Sequence, residues 1–323
     1  MTLNDFLAEW HNDNPRILVH TSGSTGKPKP LMVEKQRMLN SARITCDFLG
    51  LKPGDTALLC MPLDYIAGKM MVVRSIERGL RLTSVRPSSH PLADDALPSF
   101  TFAAMVPMQV YHTLQQPQER ERLMRIRHLI IGGGAISDEL AQMIKPLPNA
   151  VWSTYGMTET LSHIALRRLN GPDATLWYTP FDGVGISLNA DGCLVIDAPE
   201  VCAEPLVTND IALLRTDERT GKTLFRIKGR KDNVVCSGGI KIQIEEVEEA
   251  LRPHLPAPFM IIKKQDEVLG ERAVLLTEST DLPLIEEICR NALPKYWVPR
   301  QFLHIDRLPL TETGKPKRSG IEV

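Results

Sequence analysis

The chain has 323 residues, 43% hydrophobic and 24% charged, and its 38 lysines and arginines nearly balance 39 aspartates and glutamates for a net charge of −1. These values exclude a disordered, collagenous or low-complexity protein, and the length suits about two domains with a sizeable core. With no basic surplus, nucleic-acid binding is not expected as the main role. The six cysteines (Cys46, Cys60, Cys193, Cys202, Cys236 and Cys289) show neither C-x-x-C pairs nor zinc-finger spacing, so buried free thiols are expected. The first ten residues carry acids and lack an apolar h-region, unlike a signal peptide. No stretch approaches the roughly 20 apolar residues of a membrane span. A cytoplasmic, soluble protein is expected.

In chain order, Arg16 to His20 reads as a buried strand running into a loop of Gly, Ser and Thr. Gln36 to Leu49 has helical spacing and stops at Gly50, a suitable C-cap. A turn at 52–55, a strand from Thr56 to Met61 and a helix from Ile66 to Arg78 ending at Gly79 follow. Thr101–Met105, His128–Ile131 and Ala150–Thr154 read as further strands. This alternation predicts a parallel, helix-flanked sheet with ligand loops at the strand carboxyl ends. After about residue 170, short strands such as 193–196 and 211–215 are separated by Gly and Asp turns, as in a small antiparallel β unit. From Gly229 onward a strand at 233–236, an acidic helix at 244–251 and further strand–helix alternation predict a small α+β domain. The expected fold is therefore α/β: an N-terminal domain over 1–228, with helix-flanked sheets plus the β unit, and a C-terminal domain over 229–323.

The strongest chemical signal is Thr21-Ser-Gly-Ser-Thr-Gly-Lys-Pro-Lys-Pro30. Glycines let backbone N–H groups approach an anion, hydroxyls add donors, and lysines add point charges, which together suit a polyphosphate. It is not a Walker A loop, because two residues separate Gly23 from Gly26 and Pro28 stands where Ser or Thr would bind magnesium. A solvent-exposed flexible loop is the plain alternative. Tyr155-Gly-Met-Thr-Glu-Thr160 offers a stacking ring and, in Glu159, a hard oxygen ligand, although Tyr-Gly is also an ordinary turn. Gly132-Gly-Gly134 exposes bare backbone to a flat ring, or simply makes a tight strand-to-helix turn. Asp210 in Thr208-Asn-Asp suits paired ribose hydroxyls, or caps a turn. Gly229 to Gly239 lies at the domain boundary, and Leu310-Thr-Glu-Thr-Gly-Lys315 reads either as a functional motif or as a solvated basic tail.

In order and approximate spacing, these six blocks resemble the adenylate-forming superfamily of acyl-CoA synthetases, adenylation domains and luciferases, from about Ile17 to Arg318. The resemblance implies that Thr21, Ser22, Gly23, Ser24, Thr25, Gly26 and Lys27 grip the β- and γ-phosphates of ATP. It also implies that Gly132, Gly133, Gly134, Tyr155 and Gly156 enclose adenine, while Asp210 and Arg230 hold the ribose. Thr158 would lie by the α-phosphate, Glu159 would bind Mg²⁺, and Lys315 would be the mobile catalytic lysine. The C-terminal domain would turn about Asp232, with Ser237, Gly238, Gly239 and Lys241 bordering coenzyme A. ATP, Mg²⁺, CoA and a small carboxylic acid are the implied ligands, without nucleic acid or membrane, and a homodimer is among the assemblies expected.

The segment from Met61 to Arg74 lacks the family's usual histidine, which Asp64 or Tyr65 replaces. Its Ala67-Gly68 pair followed by Arg74 is similar to o-succinylbenzoate–CoA ligases of menaquinone synthesis. In those enzymes the matching arginine helps to hold the substrate's second carboxylate. A dicarboxylate needs a second cationic anchor, and Arg74 or Lys69 is placed to provide one. The alternative is that Arg74 and Arg78 form the solvated end of an amphipathic helix. Tyr65, Ala67 and His163 complete the expected acyl site, although a packed or surface histidine is the commoner case. Only 20 residues precede Thr21, fewer than is typical of the superfamily, so a shortened first subdomain is expected. Ligation of another carboxylic acid and non-catalytic nucleotide binding stay open as alternatives.

Overall fold

The computed structural model describes residues 1–20, 30–310, 317–318 and 321. They divide between two compact units: Met1–Ile186 with Ile196–Leu206 and Leu214–Phe225, and Ser187–Val195 with Val207–Leu213 and Arg226–Val323. The sequence suggests a single boundary after Lys228, whereas the chain divides three residues earlier, and Ser187–Val195 and Val207–Leu213 of the small β unit join the second part.

The first unit opens with α1 (Leu3–His11), where Thr2 and Asp5 bond each other's backbone N–H groups and so satisfy donors the first turn leaves free. Its Phe6 and Trp10, one turn apart, are buried and stack 6.0 Å apart. Strands β1 (Arg16–His20) and β2 (Pro30–Glu34) then pair antiparallel, from Arg16 opposite Glu34 to His20 opposite Pro30. Alternation along the sequence groups Arg16–His20 with the helix-flanked sheet. It belongs instead to this separate two-stranded ribbon, because the proline-rich 28–30 stretch conceals β2 in the sequence. Pro30 sits at the strand's first position, where a missing N–H is tolerated.

Next come α2 (Lys35–Leu49), β3 (Thr56–Leu59), α3 (Ile66–Arg78), β4 (Arg81–Ser84) and β5 (Phe102–Met105). Both helices end as expected on glycines in the left-handed conformation, Gly50 and Gly79. Helices α4 (Pro107–Gln115) and α5 (Pro117–Met124) each begin on a proline, which costs nothing where the first N–H has no partner. After them come β6 (His128–Ile131), α6 (Asp138–Ile144), β7 (Ala150–Gly156), β8 (His163–Arg168) and β9 (Thr179–Pro180). The seven-stranded sheet runs β4-β3-β5-β6-β7-β8-β9, parallel as far as β7 and antiparallel beyond it. Leu58, Ala103, Met105, Leu129, Ile131 and Val151 from its strands bury against Val110, Leu114, Leu123, Leu140 and Ile144 from the flanking helices. Each large side chain there contributes about 1.5–3 kcal/mol of burial, which makes this sheet the rigid base from which the loops depart.

Strands β10 (Gly185–Leu188), β11 (Cys193–Asp197), β12 (Leu206–Thr216) and β13 (Thr223–Arg230) form a four-stranded sheet in that order. In the second unit a 3₁₀ turn, Lys231–Asn233, leads to the hairpin of β14 (Val234–Ser237) and β15 (Ile240–Gln243). Then follow α7 (Ile244–Leu251), β16 (Phe259–Asp266), β17 (Gly270–Thr277), α8 (Leu282–Ala292) and β18 (Gln301–His304). The period of two along β16 separates its faces: Ile261 packs with Val247, Leu251, Ile285 and Cys289 of α7 and α8, while Met260 and Ile262 face the other way. Among the described residues no helix is long and apolar enough to cross a membrane. Five of the six free cysteines are buried as expected, and Cys236 is exposed.

Candidate active site

Strands β3, β5, β6 and β7 are parallel neighbours, so the loops at their carboxyl ends leave the same edge of the sheet. This is where ligands bind in open α/β sheets. Gly132 follows β6, and a Cβ at that position would stand 2.4 Å from Thr154 Oγ1, so only glycine lets this loop pass β7. Gly156 ends β7 under the same restriction, with the Ser162 carbonyl 2.3 Å from where a Cβ would stand. Between them the half-buried Tyr155 ring packs edge-on to Phe225 at 5.0 Å and lies 5.7 Å from Tyr178. Tyr178 stacks on Phe225, bonds Ser153 Oγ through its hydroxyl at 2.9 Å, and carries the Arg167 guanidinium over its ring. The expected adenine platform is thus held by two aromatic residues that sequence spacing does not reveal.

The turn from β7 to β8 is built around the Thr160 hydroxyl. It accepts from Met157 N at 2.9 Å, and the carbonyls of Met157 and Ser162 lie 2.9 and 2.6 Å from it. Leu161 N reaches the Thr158 carbonyl at 2.9 Å, and Leu161 takes a left-handed φ of 64°, which costs a branched side chain about 1 kcal/mol or more. This strained turn buries Thr158 and exposes Glu159. Among the described residues no three acidic, histidine or cysteine side chains cluster as a complete cation cage. A hard cation at Glu159 would therefore take most of its oxygens from phosphate and water, as Mg²⁺ does.

Arg74 departs from the solvated helix end that its spacing allows. Its side chain is buried, with NH2 donating to Ser162 Oγ at 2.5 Å and NH1 lying 3.9 Å from Met71 Sδ. Its Nε is buried without a partner. Among the described residues no carboxylate pairs with this guanidinium. Burial pulls its pKa down to about 10, which leaves it charged at neutral pH. Arg78, one turn on, does behave as a helix-end arginine, bonding Asp47 at 2.6 Å and the Leu51 carbonyl at 3.0 Å. His163 is buried beside Arg74, and burial together with that positive charge holds its pKa well below the usual histidine value. Both of its ring nitrogens have partners, Ser162 Oγ and Thr45 Oγ1, each at 3.1 Å. Lys69 is directed elsewhere: its ammonium donates to the Leu18 carbonyl at 2.7 Å and lies over the Phe6 ring. Tyr65, which precedes α3, and Ala67 in its first turn are exposed.

In the second unit, Arg230 NH1 lies 3.4 Å from Asp210 and its NH2 2.6 Å from Asp232. Partial burial opposes the Arg230 charge, but the Asp232 bond and the field of Asp210 outweigh it and raise its pKa. Asn209 adds a 3.4 Å bond to Asp232, and Lys231 pairs with Asp191 at 2.7 Å. The expected ribose and hinge residues therefore share one network. Gly238 and Gly239, at φ of 57° and 82°, make the tight turn of the β14–β15 hairpin, next to Ser237 and the exposed Lys241. Thr21 to Lys27 and Lys315 lie outside the described residues.

A family model for the AMP-binding enzymes matches residues 4–203. The chain belongs to the AMP-binding enzyme family. One solved member, an acyl-CoA synthetase (AMP-forming)/AMP-acid ligase II-like protein of Dyadobacter fermentans, is 33% identical, with a TM-score of 0.68 and coverage of 97% of this chain and 91% of its own. A 2-succinylbenzoate–CoA ligase of Salmonella typhimurium is 28% identical over 98% of this chain and 69% of its own length. The Bacillus subtilis O-succinylbenzoate coenzyme A synthetase, solved with ATP and magnesium, shares the fold with a TM-score of 0.73 at 24% identity, over 94% of this chain and 69% of its own. This AMP-binding enzyme thus spans about seven-tenths of those two ligases and nearly all of the Dyadobacter protein.

Proposed function

We propose that the chain is an ATP-dependent carboxylic acid–CoA ligase that works through an acyl-adenylate, with o-succinylbenzoate as its acid in menaquinone synthesis. The curated relatives that bear the 2-succinylbenzoate–CoA ligase name support the class of reaction. The observation that carries the choice of acid is Arg74, a buried guanidinium with only neutral partners among the described residues and an idle Nε. Such a charge is costly until an anion meets it. A dicarboxylate would do so while its other carboxylate reacts.

The reacting carboxylate must approach the α-phosphorus of a polyanion, and like charges about 4 Å apart repel by about 4 kcal/mol at an effective dielectric constant of 20. Lys315 bridges the attacking oxygen and the α-phosphate, and Lys27 with its loop draws charge from the leaving pyrophosphate. Mg²⁺ on Glu159 would supply further neutralisation of those phosphates. The carboxylate oxygen bonds to the α-phosphorus, the bond to the β-phosphoryl oxygen breaks, and no protein nucleophile is required. The CoA thiol then loses its proton, attacks the acyl carbon and expels AMP beside Ser237–Gly239, after the part beyond residue 229 has turned about Asp232. A cytoplasmic location belongs to the same reading, because ATP and CoA are its co-substrates. Lys315→Ala is expected to abolish adenylation while sparing thioester formation from preformed acyl-adenylate. Equal loss of both half-reactions would remove the lysine from this role.

A further inference from the structure

The groups around Arg74 form a hydrogen-bond chain whose direction is settled by chemistry. A guanidinium only donates, so Ser162 Oγ accepts from Arg74 NH2 at 2.5 Å. Ser162 Oγ keeps a second lone pair, but Nδ1 of the neutral His163 ring, 3.1 Å away, is the acceptor, because the Thr45 hydroxyl gives its one proton to a carbonyl and leaves Nε2 to donate. The other nitrogen, Nε2, carries the ring proton and donates to Thr45 Oγ1 at 3.1 Å. Thr45 passes its own proton to the Ser41 carbonyl one turn back on α2, also at 3.1 Å. Each hydroxyl and each ring nitrogen of Ser162, His163 and Thr45 has a partner, and Thr45 and His163 are fully or almost fully buried. Arg74 Nε alone lacks a partner.

We propose that Ser162, His163 and Thr45 are positioning residues that fix the Arg74 guanidinium so that its unused Nε edge receives the second carboxylate of the acid substrate. This rests on the dicarboxylate reading above and deepens it. His163, expected from the sequence as an acyl contact, acts through Arg74 instead, since both of its nitrogens are committed to protein. A guanidinium held at one edge by a fixed acceptor keeps the other edge in a single plane, which is what a planar carboxylate requires. A lone buried arginine without the relay would swing between neutral acceptors and discriminate poorly.

The test compares o-succinylbenzoate with its two mono-acid analogues, 4-oxo-4-phenylbutanoate and 2-butanoylbenzoate, in the pyrophosphate-release assay. Wild type is expected to prefer the diacid in kcat/KM over whichever mono-acid it turns over. Ser162→Ala is expected to lower that preference about tenfold, mostly through the diacid KM, because a hydrogen bond to a charged group is lost. Ser162→Thr, which keeps the hydroxyl, should restore it. Thr45→Val, at the far end of the relay, should lower it about threefold, and it decides the matter if Ser162→Ala does not fold. Equal losses on diacid and mono-acid in these variants, or none, would overturn the positioning role while leaving the diacid reading intact. A wild type with no diacid preference would overturn that reading and this inference with it.

Discussion

Two arginines, one in each unit, are expected to face ligand anions or hydroxyls, and their surroundings differ in opposite senses. Arg74 is buried among a serine, a methionine sulfur and a neutral histidine, and no carboxylate among the described residues balances it. Arg230 is part-exposed between two aspartates, Asp210 and Asp232, with Asn209 bracing the second. A buried cation without a counter-ion is costly, and an anion from outside the chain would relieve that cost. The contrast is between a buried cation without a counter-ion and a part-exposed cation held by two, and the pair should respond differently to the same substitution.

Arg74→Met should show this most strongly. Loss of a desolvated charge partner is expected to cut kcat/KM for o-succinylbenzoate about a hundredfold. The same change should stabilise the ligand-free protein by about 1 kcal/mol, read from the urea midpoint, because methionine fills similar volume without a charge to desolvate. Arg230→Met should destabilise instead, since it leaves Asp210 and Asp232 without the cation between them. If both variants moved stability in the same direction, the contrast would be void. A smaller effect is expected for Asp210→Asn, which keeps the shape but halves the acceptor strength for a ribose diol: KM for ATP should rise about tenfold, with little change in the diacid preference.

The smallest effect concerns acid. His128, at the start of β6, is half-buried with both ring nitrogens shielded and unbonded, and desolvation followed by Arg127 and Arg168 pushes its pKa down to about 4. His163 is shifted the same way. Between the ordinary histidine value of 6.5 and about 4 the unfolded chain therefore binds more protons than the folded one, so stability is held above that window and lost as pH falls through it. The urea midpoint should drop from pH 7 to pH 5, and His128→Leu, which sacrifices no hydrogen bond, should flatten that slope.

Much of the first unit was legible in the sequence where local chemistry decides local shape. Gly50 and Gly79 end their helices as read, and the strands at 128–131 and 150–156 begin where the apolar runs do. Legibility failed where tertiary packing decides. Arginines four apart at a helix end read alike, yet Arg78 finds Asp47 and Arg74 turns inward. Lys69 follows the Ala67-Gly68 signature, but its ammonium goes to a carbonyl of β1, a strand that the alternation groups with a different sheet. Thr45 and His163 are 118 residues apart, and Tyr155 gains its packing from Tyr178 and Phe225, so neither grouping leaves a spacing to read. The TND variant of the ribose motif was visible, but the bond from Asn209 to Asp232 was not.

The most direct measurement of the central claim is pyrophosphate release by the wild-type protein with ATP and Mg²⁺, across o-succinylbenzoate and its two mono-acid analogues, with and without CoA. The expected result is release with o-succinylbenzoate well above either mono-acid, and a CoA ester when CoA is added. Equal release with all three acids, or none despite measurable ATP binding, would contradict it.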